Sequence, residues 1–353
     1  MKIMLVDIAL DGHHIPYMKG ITQNKDNTYI YVLPQQTDEL AGKQYIVKPE
    51  GEKRSFLKYR GWLANVKDVA KNEKPDLICF LYGDAFYKYF GSGLLGFGRK
   101  KTIVTFHQIS RNRIKELSAK LIFKKISKGI VHTEDLKKRL ESMGVKNCVH
   151  IEYPYFGPKA TDEVKVEKAR LGIKDDKPVL GIIGGLRHDK GIDIFLDVLP
   201  QINKDCHVII AGHPGSYDPN FIKDKVKASK KDCKLVLRFL EEKELISCVN
   251  ACDLIVLPYR FVFEGASGPL TLGVFLGKKI IGPSHGSLGD IITKNDLGYT
   301  FKTEDAEDLK NTINKAIEEK NFSLSEKGKE YRNSIDEKNF YSKYSEIFNS
   351  IKK

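Results

Sequence analysis

The chain has no apolar run of membrane length: none of its 353 residues lie in a segment approaching the roughly 18 unbroken apolar positions of a spanning helix. Its start, MKIMLVDIALDG, is not that of a signal peptide, because charge follows the short apolar run at once. That start reads as the first buried strand of an α/β domain. Cysteine is sparse and scattered, at Cys79, Cys148, Cys206, Cys233, Cys248 and Cys252. Cys248 and Cys252 stand four apart on an expected helix, yet no second pair or nearby histidine completes a zinc set. Buried free thiols in a reducing cytoplasm are the expectation. No DxD metal motif stands at a strand end, since Asp175-Asp176 lies in a lysine-flanked linker. A GxGxxG fingerprint is missing as well, which removes the sequence sign of a dinucleotide site. Neither a solenoid repeat nor a low-complexity tract is present.

What the chain has in excess is positive charge. Fifty-nine Lys plus Arg against 46 Asp plus Glu give a formal charge of +13. Nucleic acid, anionic membrane and phosphorylated substrates all suit a basic protein, and a lysine-rich coding bias produces the same number. No aromatic-basic module supports the nucleic-acid reading. Hydrophobic content of 41% beside 30% charged residues is that of a soluble globular protein, and the length fits two domains of about 150–200 residues.

Short apolar runs alternate with amphipathic stretches from end to end, which predicts a parallel α/β architecture. Strands are expected near residues 3–7, 29–32, 77–81, 102–106, 129–132 and 149–151, with helices over 56–71 and 112–126. The pattern restarts at 179–183 and continues at 208–211, 235–239, 254–257 and 279–282. Between the halves, residues 153–177 hold Pro154, Gly157, Pro158 and a charged run, the composition of a linker with one short helix. The expected division is 1–160, 161–335 and a last helix, 336–353, that crosses back to the first domain. Two such domains facing each other would hold ligand at the carboxyl ends of their strands.

Two segments carry chemistry. In LIVLPYRFVFEGASGPLTLGVFLGKKIIG (254–282), an apolar run ends at Pro258 and a loop bears one carboxylate, Glu264. Ser267-Gly268-Pro269 then opens an apolar helix, and proline in a first turn loses no hydrogen bond. A helix start facing a loop offers N–H groups and positive potential, which suits a diphosphate. In VLGIIGGLRHDKGIDIFLDVL (179–199), a strand runs into Gly184-Gly185, followed by Arg187 and Lys190. Glycine lets backbone approach a ligand, and two cations in one loop can neutralise a diphosphate. A basic solvent-exposed turn is the alternative.

Together these segments resemble the C-terminal domain of glycosyltransferase family 4 (glycosyl transferases group 1), which are GT-B enzymes with two Rossmann-like doubly wound domains across a cleft. Gly184, Leu186, Lys190 and Gly191 match the family's GRLxxxKG motif, whose lysine contacts donor phosphate. Gly185 stands where the family has Arg, and Arg187 would supply that charge. On the family's paired-glutamate motif the first Glu falls on Glu264, followed by Gly265 and Gly268, and the second position is Leu272. The second Glu commonly binds ribose, which Leu272 cannot do.

The resemblance implies transfer of a sugar from a nucleotide donor, with retention and without a bound metal or other cofactor. Glu264 would offset oxocarbenium charge, while Lys190 and Arg187 would hold the leaving diphosphate with N–H groups near Ser267, Gly268 and Leu270. Phe239 and Leu240 would contact the base through backbone. In the first domain, Gly12 and His13, followed by His14, occupy the expected glycine-rich loop, and His107 ends a strand where it would hydrogen-bond a sugar hydroxyl. Thr133 is expected as a helix cap, and His132 stays open between structure and function. The rival readings are a catalytically silent sugar-nucleotide or glycan-binding paralogue and a sugar-nucleotide epimerase of the same fold.

Residues 111–128 carry seven cations, from Arg111 to Lys128, against Glu116, with Ile114, Leu117, Leu121 and Ile126 at near-helical spacing. Such a helix suits an anionic membrane surface presenting a lipid-linked glycan acceptor, with residues 87–101 as a second contact. The alternative packs that stripe on the domain's own sheet. Cytoplasmic location, peripheral at the inner membrane face, and surface polysaccharide assembly are what the resemblance and charge together imply.

Overall fold

Continuous apolar runs with no alternation predict strands buried on both faces, and that is how they fold. The structure, a computed structural model, describes residues 1–10, 14–48, 55–109, 111–157, 162–203, 205–319, 321 and 323–352. Contacts divide it into two units, Met1–Phe156 with Asp336–Lys353, and Gly157–Ile335. Gly12 and His13 lie outside the described residues.

The N-terminal unit holds β1 (Lys2–Val6), β2 (Thr28–Leu33), β3 (Lys43–Ile46), β4 (Leu77–Phe80), β5 (Thr102–Phe106), β6 (Lys128–Val131) and β7 (Cys148–His150). All pair in parallel in the order β3-β2-β1-β4-β5-β6-β7. The C-terminal unit holds β8 (Val179–Ile183), β9 (His207–Ala211), β10 (Asp232–Val236), β11 (Leu254–Val256), β12 (Lys279–Pro283) and β13 (Gly298–Phe301). Their order is β10-β9-β8-β11-β12-β13, again all parallel. Strand order reverses direction between β1 and β4 and between β8 and β11. Crevices for ligands open at such reversals, beyond the strands' carboxyl ends. The edge strands β3 and β13 escape sequence expectation because they are short and mostly half-exposed, so they carry no apolar run.

Each N-terminal face has its own core. Met4, Val6, Phe80 and Phe106 meet Trp62 and Val66 of helix Phe56–Glu73 and Ile122 of helix Arg113–Phe123. Ile3, Leu5 and Ile103 meet Tyr17 of helix His14–Ile21 and Phe340 and Tyr344 of helix Glu337–Lys352. The segment 87–101 folds into 3-10 turns that bury Leu94 and Phe97, leaving only Leu95 of its aliphatic side chains exposed. Of the side chains expected to make a second contact, Leu94 and Phe97 are thus withdrawn into the core, while Leu95, Arg99, Lys100 and Lys101 stay exposed. Among its described residues the linker forms one helix, Val164–Arg170. All six cysteines are free, five of them buried, and burial pushes the Cys248 thiol up to about 11. Thiols so protonated are inert at neutral pH.

Candidate functional site

The C-terminal unit gathers its chemistry at the β8/β11 reversal. Directly after β8 comes Gly184, whose φ of +104° only glycine adopts readily. A Cβ there would lie 3.0 Å from the Pro269 ring and 3.4 Å from Lys190 Nζ. The bare glycine, the lysine ammonium and the helix start after β11 thus meet at one point. Lys190 Nζ also lies 5.4 Å from the centre of the Tyr259 ring, a cation–π arrangement that holds it over the loop. Gly191 (φ +61°) lets the chain pass so close to β11's loop that a Cβ would sit 2.0 Å from the Pro258 carbonyl oxygen.

The loop after β11 is pinned from below. Arg260 donates to Asp193 and, through Nε, to the His188 carbonyl at 3.0 Å, while its own N–H donates to the Asp189 carbonyl at 3.0 Å. Asp193 accepts from the Tyr217 hydroxyl at 2.6 Å. Burial, with this carboxylate second, pushes the Tyr217 hydroxyl up to about 12. Arg260, Asp193 and Tyr217 therefore lock the loops after β8, β9 and β11 to one another. Sequence reading missed all three, and the nearest signal was an arginine directly after the Pro258-Tyr259 strand end. The 212–216 loop adds to this packing, since a Cβ on Gly212 would fall 2.0 Å from the Gly184 carbonyl oxygen.

Glu264 follows Phe263, whose ring packs 4.6 Å from Tyr259, and is only 6% exposed. Gly265 turns the chain with φ +110° toward Ser267, which caps helix Gly268–Phe275. Ser267 Oγ accepts from the Leu270 N–H at 3.3 Å and lies 3.2 Å from the Tyr259 hydroxyl. This narrows one expectation: the Leu270 N–H serves the helix's own cap and Pro269 has none, which leaves the exposed Gly268 at the helix start. Arg187 differs as well. It forks onto Asp189 at 3.0 and 2.7 Å in an exposed pair, because the turn places the two side chains side by side. Leu272 is buried in the helix. Gly185 has open space around it. Phe239 is 74% exposed and Leu240 buried, just past β10.

In the N-terminal unit, polar rings gather along the carboxyl edge around the β1/β4 reversal. Asp7, buried at the end of β1, accepts from the Ile8 N–H at 2.7 Å and from His14 Nδ1 at 2.9 Å. The His14 ring stands 5.8 Å from Tyr82, which stacks on His107 at 5.7 Å. His107 Nε2 donates to the Leu81 carbonyl at 3.0 Å, which fixes its tautomer locally. His132 proves structural. Its Nδ1 donates to the Ile151 carbonyl at 2.9 Å, so in the neutral ring Nε2 accepts from the Tyr17 hydroxyl at 2.9 Å. Tyr17 then accepts from Tyr344 at 2.5 Å, and Tyr344 from Thr105 at 3.0 Å. This buried chain ties the last helix to the sheet. Thr133 caps helix Glu134–Ser142 by accepting from the Leu136 N–H at 3.3 Å.

Asp84, one turn past β4, is the unexpected group. Both carboxylate oxygens are buried without a hydrogen bond of ordinary geometry. Burial pushes its pKa up to about 7, against a smaller downward pull from the backbone of Gln108 and His107.

Comparison with known proteins follows these lines. A curated relative, the GDP-mannose:glycolipid 4-beta-D-mannosyltransferase of Xanthomonas campestris pv. campestris, is 28% identical over 122 residues. The matched stretch spans about a third of each protein, 34% of this chain and 34% of the relative. Among solved structures, a glycosyltransferase from Rickettsia africae superposes with a TM-score of 0.77 at 16% identity, covering 100% of this chain and 98% of the other. The Anabaena protein HepE in complex with UDP also gives 0.77 at 16% identity, over 99% and 100%. Both show the two-sheet GT-B architecture. The family model described as Glycosyl transferases group 1 matches residues 163–338, which include Gly184, Lys190 and Glu264, and this half of the chain belongs to that family.

Proposed function

We propose that the protein transfers a glycosyl group from a nucleoside-diphosphate sugar to a glycan or lipid-linked acceptor in the assembly of a surface polysaccharide or glycoconjugate. The observation that carries this is the meeting of Gly184, Lys190 and Pro269 at the β8/β11 reversal. It sets a lysine ammonium against a capped helix start where backbone can approach a diphosphate. The names of the relatives add support: one acts on GDP-mannose and a glycolipid, and HepE binds UDP.

In this reading Lys190 offsets charge on the leaving diphosphate, with the Gly268 N–H beside it. Glu264, on the locked loop, stabilises charge developing on the sugar. Arg187, held by Asp189 through Nε and one terminal nitrogen, adds charge beside the same loop. Transfer proceeds with retention and without a bound metal. The protein acts in the cytoplasm, peripheral to a membrane that supplies the acceptor through the basic segment from Arg111 to Lys128. Among the described residues no helix is long and apolar enough to cross a membrane.

Incubation with UDP- and GDP-sugars and a glycolipid fraction, followed by mass spectrometry, tests the reading. One donor should be consumed and one lipid gain a single glycosyl residue, with undiminished rate in EDTA. Strict dependence on added divalent ion would remove the metal-free step. Nucleotide binding without turnover of any donor would favour the silent paralogue, the second reading, which the buried Leu272 and the paired Arg187 support.

A further inference from the structure

Four large apolar side chains of the N-terminal unit stand open at two helix starts. In helix Phe56–Glu73, Phe56 is 50% and Leu57 82% exposed. In helix Arg113–Phe123, Ile114 is 65% and Leu117 53% exposed. The second pair departs from the inward stripe that spacing alone allows. The helix stops at Phe123, and its core face is Ser118, Ala119, Ile122 and Phe123 instead.

Both helices lie on one face of the sheet, because Trp62, Val66, Ile122 and Phe123 share a core. Both also begin at one edge. Helix Phe56–Glu73 ends beside the start of β1, where Lys2 Nζ donates to the Glu73 carbonyl at 2.7 Å. Its 18 residues place its first turn about 27 Å away, at the carboxyl edge of the strands. Helix Arg113–Phe123 follows β5 and so begins at that edge, ending where the Phe123 ring covers Gly129 of β6. The 3-10 turn Gly83–Tyr89 bridges them: the Phe56 ring lies 5.5 Å from Tyr89, and Ser118 donates to the Tyr87 carbonyl at 2.7 Å. The same edge carries His14, Tyr82 and His107.

Cations surround the four. Lys58, Arg60, Arg111, Arg113, Lys115 and Lys120 are all exposed. Asp135 lies 3.5 Å from Arg111, and Glu116 is half-buried, 3.8 Å from Arg139. We propose that the two helix starts form one docking face for an anionic lipid bilayer, which brings the carboxyl edge of the N-terminal unit to acceptors held in that bilayer. The purpose of the docking rests on the glycosyl-transfer reading; the docking itself does not. The apolar side chains enter the acyl boundary and the cations meet headgroup phosphates. A second copy of the chain would bring the same positive field and be repelled, and nucleic acid would leave the apolar side chains in water.

Co-sedimentation of the full chain with vesicles tests this. It should pellet with phosphatidylcholine mixed with phosphatidylglycerol and remain in solution with phosphatidylcholine alone. The pairs Ile114→Asp with Leu117→Asp, and Phe56→Ser with Leu57→Ser, should each weaken partitioning roughly tenfold or more. Arg113→Gln and Lys115→Gln should weaken it about fivefold per cation. Nucleotide-induced thermal shifts, read on the same samples, should stay equal in all variants. Absence of pelleting, equal pelleting with neutral vesicles, or unchanged partitioning of both apolar pairs overturns the docking face. So does a wild-type dimer in vesicle-free solution that the apolar substitutions dissolve. Vesicle binding without any nucleotide response supports the face and sinks the transfer reading.

Discussion

Lys190 carries the largest predicted effect of a single side chain. It lies over Tyr259 and against Gly184, so on the proposed reading its removal takes a fixed charge from the diphosphate site. Lys190→Ala should lower turnover roughly a hundredfold or more, as loss of one electrostatic donor does in other enzymes, and steady-state kinetics reads it. Glu264→Gln keeps shape and loses charge. Turnover should collapse while nucleoside-diphosphate affinity, measured by calorimetry, stays the same; equal loss of both would make Glu264 a loop carboxylate. Asp84 gives a pH prediction. Its carboxyl titrates near 3.8 when unfolded and about 7 when folded. Between those values the folded state binds more protons, so stability falls as pH rises from about 4 to about 7 and then levels off. Asp84→Asn should flatten that slope and gain stability on the order of 4 kcal/mol at pH 8, seen by denaturant titration at several pH values.

The strand-to-turn segments behave as units, and two adjacent glycines in one of them should respond in opposite ways. Gly184→Ala meets both a positive φ and crowding by Pro269 and Lys190, and should cost about 1–3 kcal/mol of stability together with nucleotide affinity. Gly185→Arg enters open space and should fold normally, raising affinity if the charge reaches phosphate. Arg260→Ala should loosen three loops at once, costing about 1–3 kcal/mol and weakening donor binding without touching the donor. The turn after β8 was legible because an apolar run stopped at Gly-Gly, and the helix after β11 because Ser-Gly-Pro is a start signal. The clamp of Arg260, Asp193 and Tyr217 was not, because it joins surface-type residues from two loops and the first turn of the helix Ile192–Val198. The outward face of helix Arg113–Phe123 was misleading for another reason. Its inward face uses Ser118 and Ala119, which a count of large aliphatics passes over. The cap on Leu270 was half legible: Ser267 announced the cap, but not that capping withdraws an N–H from the ligand.

Part of the positive excess, the exposed Lys58, Arg60, Arg111, Arg113, Lys115 and Lys120, stands on helix starts at one edge of the N-terminal sheet, while the candidate donor groups lie in the C-terminal unit. The last helix joins the N-terminal unit through the buried chain from Thr105 to His132, so Tyr344→Phe should destabilise that unit by about 1 kcal/mol and leave nucleotide affinity unchanged. Glycosyl transfer of the proposed kind requires the β8/β11 crevice to bind a nucleoside diphosphate. The direct measurement is a thermal-shift panel of UDP, GDP, ADP, CDP and dTDP on the wild type and Lys190→Ala, without metal. One nucleotide should stabilise the wild type by about 2.7 kcal/mol at a hundred times its dissociation constant, and the variant far less. Silence from all five, or an equal shift in the variant, would contradict it.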